Sequence, residues 1–216
     1  MALFNGLTRP KRNENKQLFR PYHYLGLFDR TSAAADRGEG VVCTMICVAS
    51  VEAYINDVEG WYSYAGSNAI CFHENDRLVN NYLTETEREL VKKLKENERS
   101  SIGDKLDLFG SWDKSEKVYQ DFKNLITIRN GLTHLKPEEL CIDKETGDYT
   151  GYPKFLSNLI QSKIVVKPKE AISWIESLEG QEYCFWCQHV TYQVLQRLNK
   201  MLPESPVSKH FSQEVF

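Results

Sequence analysis

The stretch Ile126 to Pro137 reads I-T-I-R-N-G-L-T-H-L-K-P, and the fold is best read outward from it. It closes an amphipathic run that begins near Lys114. Val118, Phe122, Leu125, Leu132 and Leu135 recur at spacings of three, four and seven, which marks a helix with one apolar face. Seven residues beyond Phe122, that face carries Arg129. A charge on a core-facing position is costly unless it is paired or put to use. Asn130 and His134 are four apart and lie above one another on one helical face. Pro137 stops the helix just beyond them. The reading therefore gathers Arg129, Asn130 and His134 on the last turns of one helix, at the edge of a core.

Other helices are read in the same way. From Val41 to about Tyr64, the residues Thr44, Val48, Val51, Ile55 and Val58 form one stripe. Met45, Val48, Glu52 and Ile55 form the adjoining one, so Glu52 interrupts the edge of a buried face. Two readings of Glu52 stay open: an acid at the core boundary whose carboxylate reaches water, or the partner that Arg129 requires. Thr84 with Glu87 three later is a capping-box pattern. It opens a helix with Leu90, Val91 and Leu94 inward. Glu182 to Leu202 reads as a long helix ended by Pro203 and Pro206. The connection 100–112 is rich in turn residues, 136–153 reads as a surface excursion with a short hairpin, and shorter helical stretches follow. There is no repeat and little β patterning. The expectation is an all-α protein, a bundle of four to five helices with short additional helices. Its parts are a basic arm and leading short helix over 1–37, the bundle over 38–203 and a tail over 204–216.

A chain of 216 residues with 41% hydrophobic and 12% aromatic content suits one domain with a real core. The net charge of -3 gives no global attraction to nucleic acid, so any such contact must come from a local basic site. The arm carries Arg9, Lys11, Arg12, Lys16 and Arg20, either as a solvated tail or as a phosphate-contacting one. No apolar run in the sequence is read as reaching the roughly 18 residues of a membrane span. The first residues lack the apolar core of a signal peptide. The expectation is a cytoplasmic protein with no membrane partner.

Six cysteines fit that setting. Cys43 and Cys47 are four apart on one helical face, and Cys184, Cys187 and His189 cluster in C-F-W-C-Q-H. A closed zinc site needs about four ligands, usually presented by turns. These cysteines lie within helical, aromatic-rich patterns and read as buried free thiols rather than ligands. His73, Glu74 and Asp76 read as a solvated connection. No metal and no cofactor is expected.

At this point the run I-R-N-G-L-T-H-L-K-P resembles the R-N-x-x-x-H signature of HEPN domains, which are all-helical bundles. Four residues separate Arg129 from His134, within the family's range of four to six. V-E-A-Y-I-N-D-V at Val51 to Val58 is similar to the early helix of such proteins, where an acidic residue often lies near the motif Arg. A Lys-Pro follows the motif, as in a bacterial branch of the family, and a Trp-bearing helix closes the chain. The resemblance covers roughly residues 40 to 203. It implies metal-independent RNA cleavage, often in toxin–antitoxin or phage-defence systems, with RNA as substrate and an antitoxin or regulatory protein as partner. It also implies a homodimer whose cleft the motif lines. Some members have lost catalysis and act as nucleotide- or protein-binding modules.

The residue types suit that chemistry. Cutting RNA without metal needs a base for the 2′-hydroxyl, an acid for the leaving 5′-oxygen and positive charge for the phosphorane. Imidazole titrates near pH ~6.5 and serves either proton step near neutrality. Guanidinium offers a planar fork of donors that stays charged. Asn130 can orient phosphate but trades no proton. Arg129 and His134 are five apart, about 140° around an ideal helix. A long Arg side chain or a local distortion near Gly131 must therefore bring them together. The plainer reading of the same residues is an Arg129–Glu52 tie between helices, with His134 bound to a carbonyl at the helix end.

Overall fold

In the computed structural model, residues 22–67, 70–71, 78–79, 83–135, 139–147, 149–168, 170 and 172–213 are described. Five substantial helices carry the fold: α1 (His23–Asp36), α2 (Gly40–Ser67), α3 (Glu85–Glu96), α5 (Lys117–Thr133) and α7 (Gln181–Met201). Shorter ones are α4 (Ile102–Asp107), α6 (Lys154–Gln161) and α8 (Pro206–Gln213), with a 3-10 turn at Glu176–Leu178. Two-residue strands pair antiparallel as β1 (Ile70–Cys71) with β2 (Leu78–Val79), and β3 (Cys141–Ile142) with β4 (Tyr149–Thr150). The class is all-α, as the periodicity predicts, and the excursion over 136–153 contains the expected hairpin.

The chain forms two compact units. One comprises residues 26–51 and 113–195. Its core is Cys43, Thr44, Cys47, Val48 and Val51 of α2, Phe122, Leu125 and Ile128 of α5, and Cys184, Cys187, Val190 and Val194 of α7. The start of α2 is held from far along the sequence. Glu179 accepts from the N–H groups of Gly40 (3.0 Å) and Val41 (3.4 Å), two donors that a helix cannot satisfy by itself. A negative carboxylate there also suits the helix dipole. The Thr44 hydroxyl lies 2.7 Å from the Tyr183 hydroxyl, so both polar ends are satisfied in the core.

The other unit comprises residues up to 25, with 52–112 and 196–216. An aromatic cluster joins its pieces. Tyr24 meets Tyr54 edge-on at 5.1 Å, Tyr22 meets Phe211 at 5.1 Å, and Phe211 meets Tyr54 at 5.5 Å. Each such fully buried ring stabilises the fold by roughly 1.5–3 kcal/mol. Asp57 accepts from the N–H groups of His23 (2.7 Å) and Tyr24 (3.1 Å), and from the His23 ring (2.8 Å), which fixes the first turn of α1.

The expected capping box is present. Thr84 takes the N–H of Glu87, and the Glu87 carboxylate takes the N–H of Thr84 at 2.7 Å. Glu87 is fully buried, and its other oxygen accepts from Ser205 and from Ser208 (3.0 Å). With the Thr84 hydroxyl, which also donates to Glu87 at 3.0 Å, four donors stand against one buried carboxylate, which is the condition for burying it at tolerable cost.

Three expectations are corrected. Residues 206–213 of the supposed tail form α8, with Val207 and Phe211 buried. The turn-rich connection over 100–112 contains α4, capped by the Ser101 hydroxyl. Gly40–Gly66 of α2 is, by length and composition, apolar enough to cross a membrane (mean hydropathy 1.5), where the sequence reading saw no such run. Half of its most apolar 18-residue window is buried inside the protein.

Candidate functional site

Helix α5 presents the motif at its C-terminal end. Its buried line is Tyr119, Phe122, Leu125 and Ile128, at a regular spacing of three. Ile128 is fully buried, whereas Arg129 beside it is half-buried. The expected stripe was therefore misphased toward its exposed flank: Val118 and Leu132 are half-buried and Leu135 is exposed. Arg129 is not a charge in the middle of the core face. It stands at that face's edge.

Asn130 and His134 are exposed. His134 is the C-cap: its φ of -126° and ψ of 54° leave the helical region, and its N–H donates to the Asn130 carbonyl at 3.0 Å. The Thr133 hydroxyl adds bonds to the carbonyls of Arg129 (3.2 Å) and Asn130 (3.0 Å), so the open end of the helix is partly satisfied. Helical backbone continues through Gly131 to Thr133, so the turn at the helix end falls at His134 rather than at Gly131. The expected stop at Pro137 lies outside the described residues, and helical structure ends before it.

Gly131 instead marks a close approach. A methyl group there would lie 3.5 Å from the Trp174 ring and 3.7 Å from Phe155. Those two rings meet edge-to-face at 5.0 Å, and Trp174 is buried. The helix end that carries Arg129, Asn130 and His134 thus rests on an aromatic support that the sequence reading did not assign to it. Glu52 is half-buried on α2 and belongs to the other compact unit.

Among the described residues, no group of three or more His, Cys, Asp or Glu side chains is placed to hold a metal ion. Cys184 and Cys187 are fully buried while His189 on the same helix is exposed, so the three do not converge. The two thiols belong instead to a buried node with Cys43 and Cys47, whose sulfurs lie 3.9 Å apart. Desolvation pushes the Cys187 thiol well up and Cys184 up to about 12. The residues His73, Glu74 and Asp76 and the basic arm lie outside the described residues.

Fold and site together define an all-α protein with an Arg-Asn pair and a His at one helix end. No protein-family model, curated protein or solved structure matches the chain.

Proposed function

We propose that this chain is a metal-independent endoribonuclease of the HEPN type, with Arg129, Asn130 and His134 as its site. The observation that carries the reading is the placement of the motif. Asn130 and His134 are exposed, Arg129 is half-buried at the edge of the core face, and all three occupy one helix end. None of them serves as core filling. His134, released from helical geometry at the C-cap, supplies or removes the proton. Arg129 neutralises the charge that gathers on the phosphorane. Asn130 orients the phosphate. A second copy of the chain completes the site, so that one His acts as base and the other as acid. An effector role in growth arrest or phage defence, restrained by an antitoxin or regulatory protein, is part of the same proposal.

The test is cleavage of a mixed RNA pool in excess chelator, wild type beside His134→Ala. Cleavage by wild type alone, leaving 2′,3′-cyclic phosphate ends, is the expected result. A loss of roughly 10²-fold or more in rate on His134→Ala matches removal of a general acid–base group. Products with 5′-phosphate ends, or strict metal dependence, overturn the mechanism. If neither protein cuts RNA, the reading passes to a non-catalytic nucleotide- or protein-binding module.

A further inference from the structure

We propose that the concavity between the turn after α4 and the last turns of α7 is an anion site that takes the phosphate group of a phosphate ester. It is separate from the motif and goes beyond the ribonuclease reading. The cavity measures about 370 Å³ and is lined by Phe109, Gly110, Ser111, Arg197, Lys200 and Met201. Two of the six are cations and one is a hydroxyl; among the described residues, its lining holds no Asp or Glu.

The wall is built, not incidental. The N–H of Phe109 and the indole N–H of Trp112 both donate to the Leu106 carbonyl, each at 3.1 Å. Phe109 and Trp112 are buried on either side of exposed Gly110 and Ser111. The turn is thereby pinned at both ends with its middle presented outward. It lies directly on α7: a methyl group at Gly110 would be 3.6 Å from the Met201 sulfur. Arg197 and Lys200 are three apart, so they share the helical face that meets this turn.

Basic residues near a helix C-terminus also complement the dipole, and that role alone would explain Lys200. It does not explain a concave wall that a serine also lines. Guanidinium, ammonium and hydroxyl are the donor set that phosphate oxygens accept from most strongly. The volume falls within the range of small-ligand sites, roughly 300–1,000 Å³. It exceeds a bare phosphate, and Phe109 with Met201 offers an apolar wall for the ring or carbon skeleton attached to it.

The test is a titration of the full-length ¹⁵N-labelled chain with sodium pyrophosphate at constant ionic strength, followed by NMR. Saturable shifts centred on Gly110, Ser111 and Lys200 are expected. Lys200→Gln is expected to weaken binding about tenfold, the size of one lost charge-assisted contact. Because Lys200 is exposed, that variant keeps the fold, which circular dichroism verifies. Ser111→Ala is expected to weaken binding by a smaller factor. Absence of saturation, or binding that Lys200→Gln leaves unchanged, overturns the proposal. Competition then identifies the source of the phosphate. Displacement by oligouridylate assigns it to an RNA strand, and displacement by uridine diphosphate but not the oligomer assigns it to a free nucleotide. Displacement by neither overturns the phosphate-ester assignment. His134→Ala is expected to abolish RNA cleavage yet leave pyrophosphate binding intact, which separates this proposal from the ribonuclease reading.

Discussion

Gly40 and Gly131 both stand in helices, and a methyl group acts on them in opposite directions. At Gly131 the added carbon would meet Trp174 and Phe155 at 3.5 and 3.7 Å, ordinary contact distances. Alanine there also gains helix propensity, so Gly131→Ala is expected to raise stability by up to ~1 kcal/mol in a urea melt. At Gly40 the same carbon would lie 2.0 Å from the Leu178 carbonyl oxygen and 2.7 Å from its carbon. Backbone cannot rotate away as a side chain can. Gly40→Ala is therefore expected to cost about 3 kcal/mol or more, or to prevent folding. A neutral result at Gly40 would show that α2 does not start against Leu178. The cysteines divide just as sharply. Cys141 is exposed, whereas Cys43, Cys47, Cys184 and Cys187 are buried. Burial holds Cys184 and Cys187 above the ordinary thiol range, whereas hydrogen bonds from Cys187 and Cys47 pull Cys43 down, so what shields Cys43 is its full burial and not its protonation. Site-resolved alkylation of the native protein at neutral pH is expected to label Cys141 and spare those four until the chain unfolds.

The helix elements were legible where a pattern was purely local. The T-x-x-E of Thr84 and Glu87 announced α3, and the apolar stripe from Thr44 to Val58 announced α2. Phase and partners were less legible. Two neighbouring stripes on α5 share Phe122 and Leu125, and only the packed core shows that Ile128 rather than Arg129 lies inward. Helix α8 is hidden in the sequence because Pro203 and Pro206 both carry the stop signal. Pro206 is instead the first helical residue, with Ser205 capping the N–H of Ser208 at 3.0 Å, a start signal that the residues carry. That helix depends on Glu87 of α3, so Glu87→Ala is expected to cost about 3 kcal/mol and to raise amide exchange over 205–213. Unchanged protection there would mean that Val207 and Phe211 alone hold it. The β3–β4 hairpin has its own titratable support. Asp143 accepts from the N–H groups of Glu145 (2.8 Å) and Thr146 (3.0 Å), bonds that hold its carboxyl below the ordinary range. A depressed carboxyl contributes stability above its unfolded value and loses it as pH falls through the folded one. The amide signals of Glu145 and Thr146 are thus expected to move together on acidification below the ordinary Asp range, while Asp143→Asn abolishes that response.

At the scale of the whole molecule, the sequence predicts one bundle over 38–203, and the structure groups the chain into two units that interleave in sequence. Nothing in local periodicity distinguishes these arrangements, because the grouping depends on which distant faces meet. The motif's unit shows the consequence. Residues 113–195 supply α5, α6 and most of α7, but their core is completed by residues 26–51. Without that segment the unit loses Cys43, Thr44, Cys47, Val48 and Val51, all at most 1% exposed. Tyr183 loses the hydroxyl of Thr44, and Glu179 loses the two N–H groups that it caps. Five vacated core positions, at roughly 1–3 kcal/mol each, together cost about 5–15 kcal/mol, as much as a domain has in total. A fragment of residues 113–195 is therefore expected to show no cooperative thermal transition and little amide protection. Restoring residues 26–51 on a flexible linker is expected to recover protection at Leu125 and Ile128 of α5, where the motif is anchored. A cooperative melt of the bare fragment would show that the motif helix folds without α2, and that the core assigned to this unit is not the one that holds it.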